Sequence, residues 1–196
     1  MQPIAHDIEA RIGRALRRTC AVVAMAGGLV LIAMAAVTVA SVAGRAMIPF
    51  GLAPVRGDFE LVEMGCAVAV FAFLPWCQIT RAHVTVDVVA ARLPPRGHAM
   101  LGLVGNAALA LCAFVIAWRL ALGAAEKVPY GSAPLREALG VGPPPFFPET
   151  TYELQVPVWI PFALATFGAV LFLVTAIYTV WRSLNWTLAG REPDQT

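Results

Sequence analysis

Read for apolar runs, the chain alternates four helix-length greasy stretches with shorter polar ones. The apolar stretches cover about residues 20–43, 58–80, 99–119 and 157–181. At 1.5 Å rise per residue the first of them reaches roughly 36 Å, enough to cross a hydrocarbon core of about 30 Å with some tilt. Within it Ala24 and Gly28, then Ala36, Ala40 and Gly44, recur four apart, the spacing that lets helix backbones approach closely in lipid. The polar intervals carry patterns of their own. Ile4, Ile8, Ile12 and Leu16 form one stripe with Arg11, Arg14, Arg17 and Arg18 mostly off it, which predicts a short helix lying among lipid headgroups before the first span. Pro49, Gly51, Pro54 and Gly57 forbid a continuous helix over 46–57. Over 81–98, Val84, Val88, Val89 and Leu93 interleave with Arg81, Arg92 and Arg96 until Pro94-Pro95, the pattern of a basic amphipathic helix on the membrane face. The long connection, 120–156, is proline-rich, and only Pro134 to Gly140 could hold a helical turn.

Composition turns this pattern into a class. Of 196 residues, 59% are hydrophobic and 13% charged, against about 25% charged in a soluble domain. Mean hydropathy is +0.74. There is too little polar surface to cover a water-soluble globule, so the expectation is an all-α integral membrane protein with four transmembrane helices in a single domain. The net charge of +2 is too small to suggest a nucleic-acid partner. A basic start before an apolar run also suits a signal peptide, but the run exceeds the 7–15 residues or so of a signal core, so a retained first span is expected. Nine of the 14 basic residues fall in 1–19, 81–98 and 182–196, while 119–156 holds Glu126, Glu137, Glu149 and Glu153. By the positive-inside rule both termini are expected in the cytoplasm and 120–156 on the opposite, periplasmic side. Trp76, Trp118, Trp159, Trp181 and Trp186 all lie near expected span ends, as interfacial tryptophans do.

Candidate chemistry is sparse. Glu60 and Glu63 are three apart on one helix face near the start of the second span. They read either as structural, through capping or a polar contact to a neighbour, or as transport-related, since an ionisable group in a membrane is a functional candidate. Asp58 is placed to cap that helix. Pro75 should kink or loosen its last turn. His83 and Asp87 are four apart, hence adjacent on a helix, but one His and one Asp are too few ligands for a metal, and no His lies deep enough in a span to hold haem. Cys20, Cys66, Cys77 and Cys112 form no C-x-x-C pair and read as small buried apolar residues. No phosphate-binding loop, dinucleotide fingerprint or nucleophile elbow is present. No cofactor and no enzymatic activity are expected. A stand-alone proton-coupled exporter working through Glu63 remains the alternative, with a thiol or haem membrane oxidoreductase behind it.

Three segments together resemble the small permease subunit of tripartite ATP-independent periplasmic (TRAP) transporters, the DctQ-like family. They are Glu60-Leu61 opening the second span, Arg81-Ala82-His83-Val84-Thr85-Val86-Asp87 after it, and Tyr152-Glu153-Leu154-Gln155-Val156-Pro157-Val158-Trp159 opening the fourth. The resemblance covers roughly 15–185. Ala82, and Leu74-Pro75-Trp76 at the end of span two, stand where many members have glycine-containing sequences. The resemblance implies a non-catalytic subunit of the bacterial inner membrane. It implies a large permease subunit, which holds the sodium and substrate sites, and a periplasmic binding protein as partners, with membrane lipid around them and an organic acid as cargo. Glu60, Glu63, Arg81, His83 and Asp87 are the candidate positions for subunit or lipid contact.

Overall fold

The computed structural model describes residues 6–82, 95–138 and 140–189, and these are helical almost throughout. In chain order they form α1 (His6–Ala46), a single 3-10 turn (Ile48–Phe50), α2 (Asp58–Thr80), α3 (Pro95–Lys127), a short α4 (Ala133–Ala138) and α5 (Trp159–Ala189). Among the described residues there is no strand, only an isolated antiparallel bridge between Thr150 and Pro157. Four helices are long and apolar enough to cross a membrane, at the expected places in the sequence.

Their ends differ from expectation. No proline interrupts residues 6–46, and α1 runs unbroken for 41 residues, about 62 Å at helical rise and twice the hydrocarbon thickness. The helix expected to lie in the headgroups is therefore the first part of α1 itself. The third span starts at Pro95 and runs on to Lys127, and the fourth to Ala189. The long connection begins correspondingly later, and its one helical stretch, α4, falls where Pro134 to Gly140 allowed it. The amphipathic helix expected after Arg81 falls largely on residues 83–94, outside the described residues.

Consecutive spans run antiparallel, with 47–57 and 128–158 at what we call the loop end, and the start of α1, the end of α5 and Arg81 at what we call the terminal end. The packing order is not the chain order. α2 packs between α1 and α5, and α3 packs on the far side of α5. The spans make a row, α1–α2–α5–α3, and not a closed ring. Burial follows position in the row: a third of the α5 membrane window is buried but only 11% of that of α3.

Small residues set the seams. Ala69, Ala113, Ala117, Ala165, Ala169 and Ala176 are all buried, so the helices meet backbone to backbone. The tightest point joins two sequence features. Pro75 sits buried inside α2 and has no N–H, so the Phe71 carbonyl four residues earlier loses its usual helical donor. Gly168 of α5 lies against that carbonyl; a Cβ there would be 2.5 Å from the Phe71 oxygen and 2.7 Å from its carbon. Proline strips the carbonyl and glycine lets the neighbouring backbone cover it.

Polar groups bridge the seams nearer the terminal end. Gln78 of α2 donates from Nε2 to Thr179 Oγ1 of α5 at 2.8 Å and to Asn106 Oδ1 of α3 at 3.2 Å. Asn106 Nδ2 donates in turn to Ser183 Oγ at 2.7 Å. Buried amides and hydroxyls in lipid must find partners, and here they do so across three helices.

Candidate functional site

The sequence-expected candidates separate to the two ends of α2. At the loop end, α2 begins after Gly57, whose φ of 69° is left-handed and whose missing Cβ makes room for the Leu154 side chain. Both requirements select glycine. Asp58 does not cap the helix as expected. It is the first helical residue, no side chain caps that end, and its carboxylate turns sideways. Oδ2 accepts from the Ser41 hydroxyl of α1 and lies 3.7 Å from Arg45 Nη2, while Oδ1 accepts the Phe59 N–H at 2.9 Å. Asp58 thus stitches α1 to α2.

Glu60 reaches the long connection. Its Oε1 accepts the Glu153 N–H at 2.8 Å and its Oε2 the Leu154 N–H at 3.1 Å. Glu153 returns the bond, its Oε2 accepting the Gly57 N–H at 2.5 Å. Two carboxylates therefore latch the start of α2 to a turn 93 residues further along, within a small hairpin closed by Thr151 N–H to Val156 O and Val158 N–H to Glu149 O. The structural reading of Glu60 has this direct geometry behind it. The same connection is pinned by a cation that sequence reasoning passed over. Arg136 of α4 is buried, and its guanidinium donates to the carbonyls of Ala125, Val128, Gly142 and Pro143. A six-residue helix between prolines gave no hint that its one arginine points inward.

Glu63 behaves differently. It is exposed on α2, in a stripe with Phe59, Ala67 and Val70, and makes no hydrogen bond or ion pair among the described residues. It lies about 8 Å along the helix from Asp58, at helical rise. The structure does not bring Glu60 and Glu63 into one site: the first faces the loop and the second faces outward.

At the terminal end α2 closes on Arg81, a non-glycine residue in the left-handed region at φ 57° and ψ 32°. The Ala82 N–H bonds the Cys77 carbonyl at 2.9 Å and the Arg81 N–H bonds Gln78 O at 3.4 Å, the paired bonds of a Schellman cap. Holding this conformation without glycine costs about 1–2 kcal/mol. The Arg81 guanidinium stacks over the Trp186 ring of α5 at 4.2 Å, and Arg182 approaches the same ring at 5.0 Å. Asn185 beside them donates from Nδ2 to Glu9 Oε2 of α1 at 2.5 Å, so this end joins α1, α2 and α5. Arg182 and Trp186 were legible only as a basic flank and an interfacial aromatic. His83 and Asp87 lie outside the described residues. Of the cysteines, Cys20 is buried, Cys66 and Cys77 are half-buried, and Cys112 is exposed. Among the described residues no three His, Cys, Asp or Glu side chains come together to hold a metal ion.

The family comparison decides what kind of machine this frame belongs to. The family described as the DctQ component of tripartite ATP-independent periplasmic transporters matches residues 34–185, from the middle of α1 to the last turns of α5. The chain belongs to this family. It is thus a small membrane component of a TRAP transporter, a multi-pass protein of a transport family and not of an enzyme family. Comparison with curated proteins and with solved structures gives no match. The matched stretch of the DctQ chain includes the Glu60 latch, Arg81 and all of the three-helix polar bridge.

Proposed function

We propose that this DctQ chain is the fixed brace of its transporter. It holds a large permease subunit in the membrane during sodium-coupled, binding-protein-dependent uptake of an organic acid, and the ion and substrate sites lie in that larger subunit. In this reading both termini are cytoplasmic and the loop end is periplasmic, in the inner membrane, as the distribution of arginine suggests.

The observation that carries the reading is the open row. A membrane chain that acted alone would be expected to turn its polar groups toward an internal path. Here the internal polar groups described above bond one another, while apolar faces of α1 and α3 point outward along their length. Val22, Met25, Leu29, Ile32 and Val39 on α1 are each more than 60% exposed. Glu63 adds direction. An unpaired carboxylate on the outer face of a span is costly against lipid, and a cationic or hydroxyl side chain from the permease would relieve it. Its outward position also weighs against the alternative of proton-coupled export through Glu63, which needs that carboxylate on an internal path.

The test is co-purification of the tagged chain with a candidate large permease subunit, in mild detergent. Association is expected, and Glu63→Lys should weaken it severalfold while Glu63→Gln weakens it less. A chain that never associates, yet moves solute by itself in proteoliposomes, would end the proposal. Loss of that solute movement in Glu63→Gln would establish the exporter instead.

A further inference from the structure

We propose that the terminal end of the chain carries an anion site, between the first turns of α1 and the last turns of α5, that takes the phosphate of an anionic membrane phospholipid. The starting observation is a cavity of about 360 Å³ lined by Gly13, Arg14, Arg17, Ile79, Tyr178 and Arg182. Three guanidinium groups and a phenol therefore surround one recess whose floor is apolar. Gly13 opens it on the α1 side, because the Tyr178 hydroxyl rests where a side chain at 13 would sit.

The charge in this recess is only partly compensated. Arg14, Arg17 and Arg182 make no ion pair among the described residues. Arg182 is half-buried, and its Nε is shut off from solvent without a hydrogen-bond partner. Its guanidinium lies 5.6 Å from the Tyr178 ring and shares the Trp186 ring with Arg81. The one described carboxylate in reach, Glu9, already accepts from Asn185, and its backbone carbonyl accepts from the Tyr178 hydroxyl at 3.4 Å. A buried guanidinium donor without a partner costs free energy, and clustered like charges add to it. An oxyanion with several acceptor atoms removes both penalties, and arginine forks match phosphate geometry.

Depth identifies the source of the phosphate. The 23 residues of α2 rise about 35 Å, slightly more than the hydrocarbon core of about 30 Å. Ile79, at the recess floor, therefore sits at the core boundary. Arg17 lies one turn of α1 beyond Cys20, which packs with Ile79 and Tyr178 in one cluster. The recess thus opens in the headgroup layer, where phosphate is abundant and covalently part of lipid. Basic pockets between spans at this depth are the kind that bind anionic headgroups.

The experiment uses the full-length chain in mild detergent and reads its thermal midpoint. The titrants are a short-chain phosphatidylglycerol, the phosphatidylcholine of equal chain length, and inorganic phosphate. Phosphatidylglycerol is expected to raise the midpoint by about 4 °C at saturating levels, and phosphatidylcholine and inorganic phosphate to leave it unchanged. Arg14→Gln/Arg17→Gln should abolish the rise. Both side chains are exposed, so the variant should fold like the parent and, with two like charges fewer, melt no lower without lipid; each rise is read against the variant's own lipid-free midpoint. A rise that survives these substitutions, or that phosphatidylcholine matches, overturns the proposal. An equal rise with inorganic phosphate, lost in the variant, keeps the anion site but overturns the lipid as its source.

Discussion

Replacing Gly168 by alanine probes the idea that glycine at one point sets the distance between α2 and α5. The added methyl would meet the Phe71 carbonyl oxygen at 2.5 Å, where ordinary contact begins near 3.4 Å. The two helices must therefore part locally by about 0.9 Å, the difference of those two distances. The obstacle is backbone, so no rotamer change relieves it. Overpacking of this kind costs about 1–3 kcal/mol. Alanine regains up to about 1 kcal/mol of helix propensity over glycine. That gain is largely absent here, because a chain that loses tertiary packing in a bilayer or micelle keeps its helices. A net loss of about 1–2 kcal/mol is expected, roughly a 5- to 30-fold fall in the folded-to-unfolded ratio. Titration of the chain from mild detergent into dodecyl sulfate, followed by tryptophan fluorescence, measures it. Gly28→Ala is the internal control: a Cβ there meets nothing within 4 Å, so stability should move by less than about 0.5 kcal/mol. Equal stability of Gly168→Ala and the parent, or equal damage from Gly28→Ala, would refute the reasoning.

Four further outcomes are expected. Gln78→Leu should destabilise the chain by about 1–2 kcal/mol in the same titration, since two interhelical bonds go and Asn106 loses a partner. Glu60→Ala should free the 149–158 hairpin, seen as faster protease cleavage or amide exchange there with the spans unaffected, because both loop N–H groups lose their acceptor. Arg136→Leu should cost about 3 kcal/mol and loosen the same connection, since four carbonyls lose a charged donor inside the loop. Arg81→Glu should reduce insertion in the expected orientation, measured by cysteine accessibility, and should also remove the stacking on Trp186.

Hydropathy made the spans legible because lipid demands long apolar helices whatever their neighbours are. Their ends were less legible. The Ile4, Ile8, Ile12 and Leu16 stripe fits a helix on a membrane surface and equally the start of a longer one. Only contact with a residue far along the chain, Tyr178 over Gly13, shows which. Glu60 was visible as a carboxylate at a helix start, but its acceptor role depends on backbone N–H groups at Glu153 and Leu154, and no local pattern encodes that pairing. Asp58 misled for a similar reason: Ser41 and Arg45 of α1 claim the carboxylate that capping rules assign to its own helix. Gln78 and Thr179 did leave a signal. Like Asn106, they are polar residues inside otherwise apolar runs, and such residues in lipid seek one another across helices. The family resemblance rested partly on Arg81 to Asp87, and of that motif the described residues supply the helix cap at Arg81 and Ala82.

A line of helices has two outer members and no closing seam. Cohesion then comes mostly from neighbouring pairs, as in stacked-repeat proteins, where stability is a sum over neighbours, with the Gln78–Asn106 and Asn185–Glu9 bonds tying helices that are not adjacent in the row. A larger protein seated along the row would clamp those outer members, so the chain should gain cooperativity as well as strength when it is held.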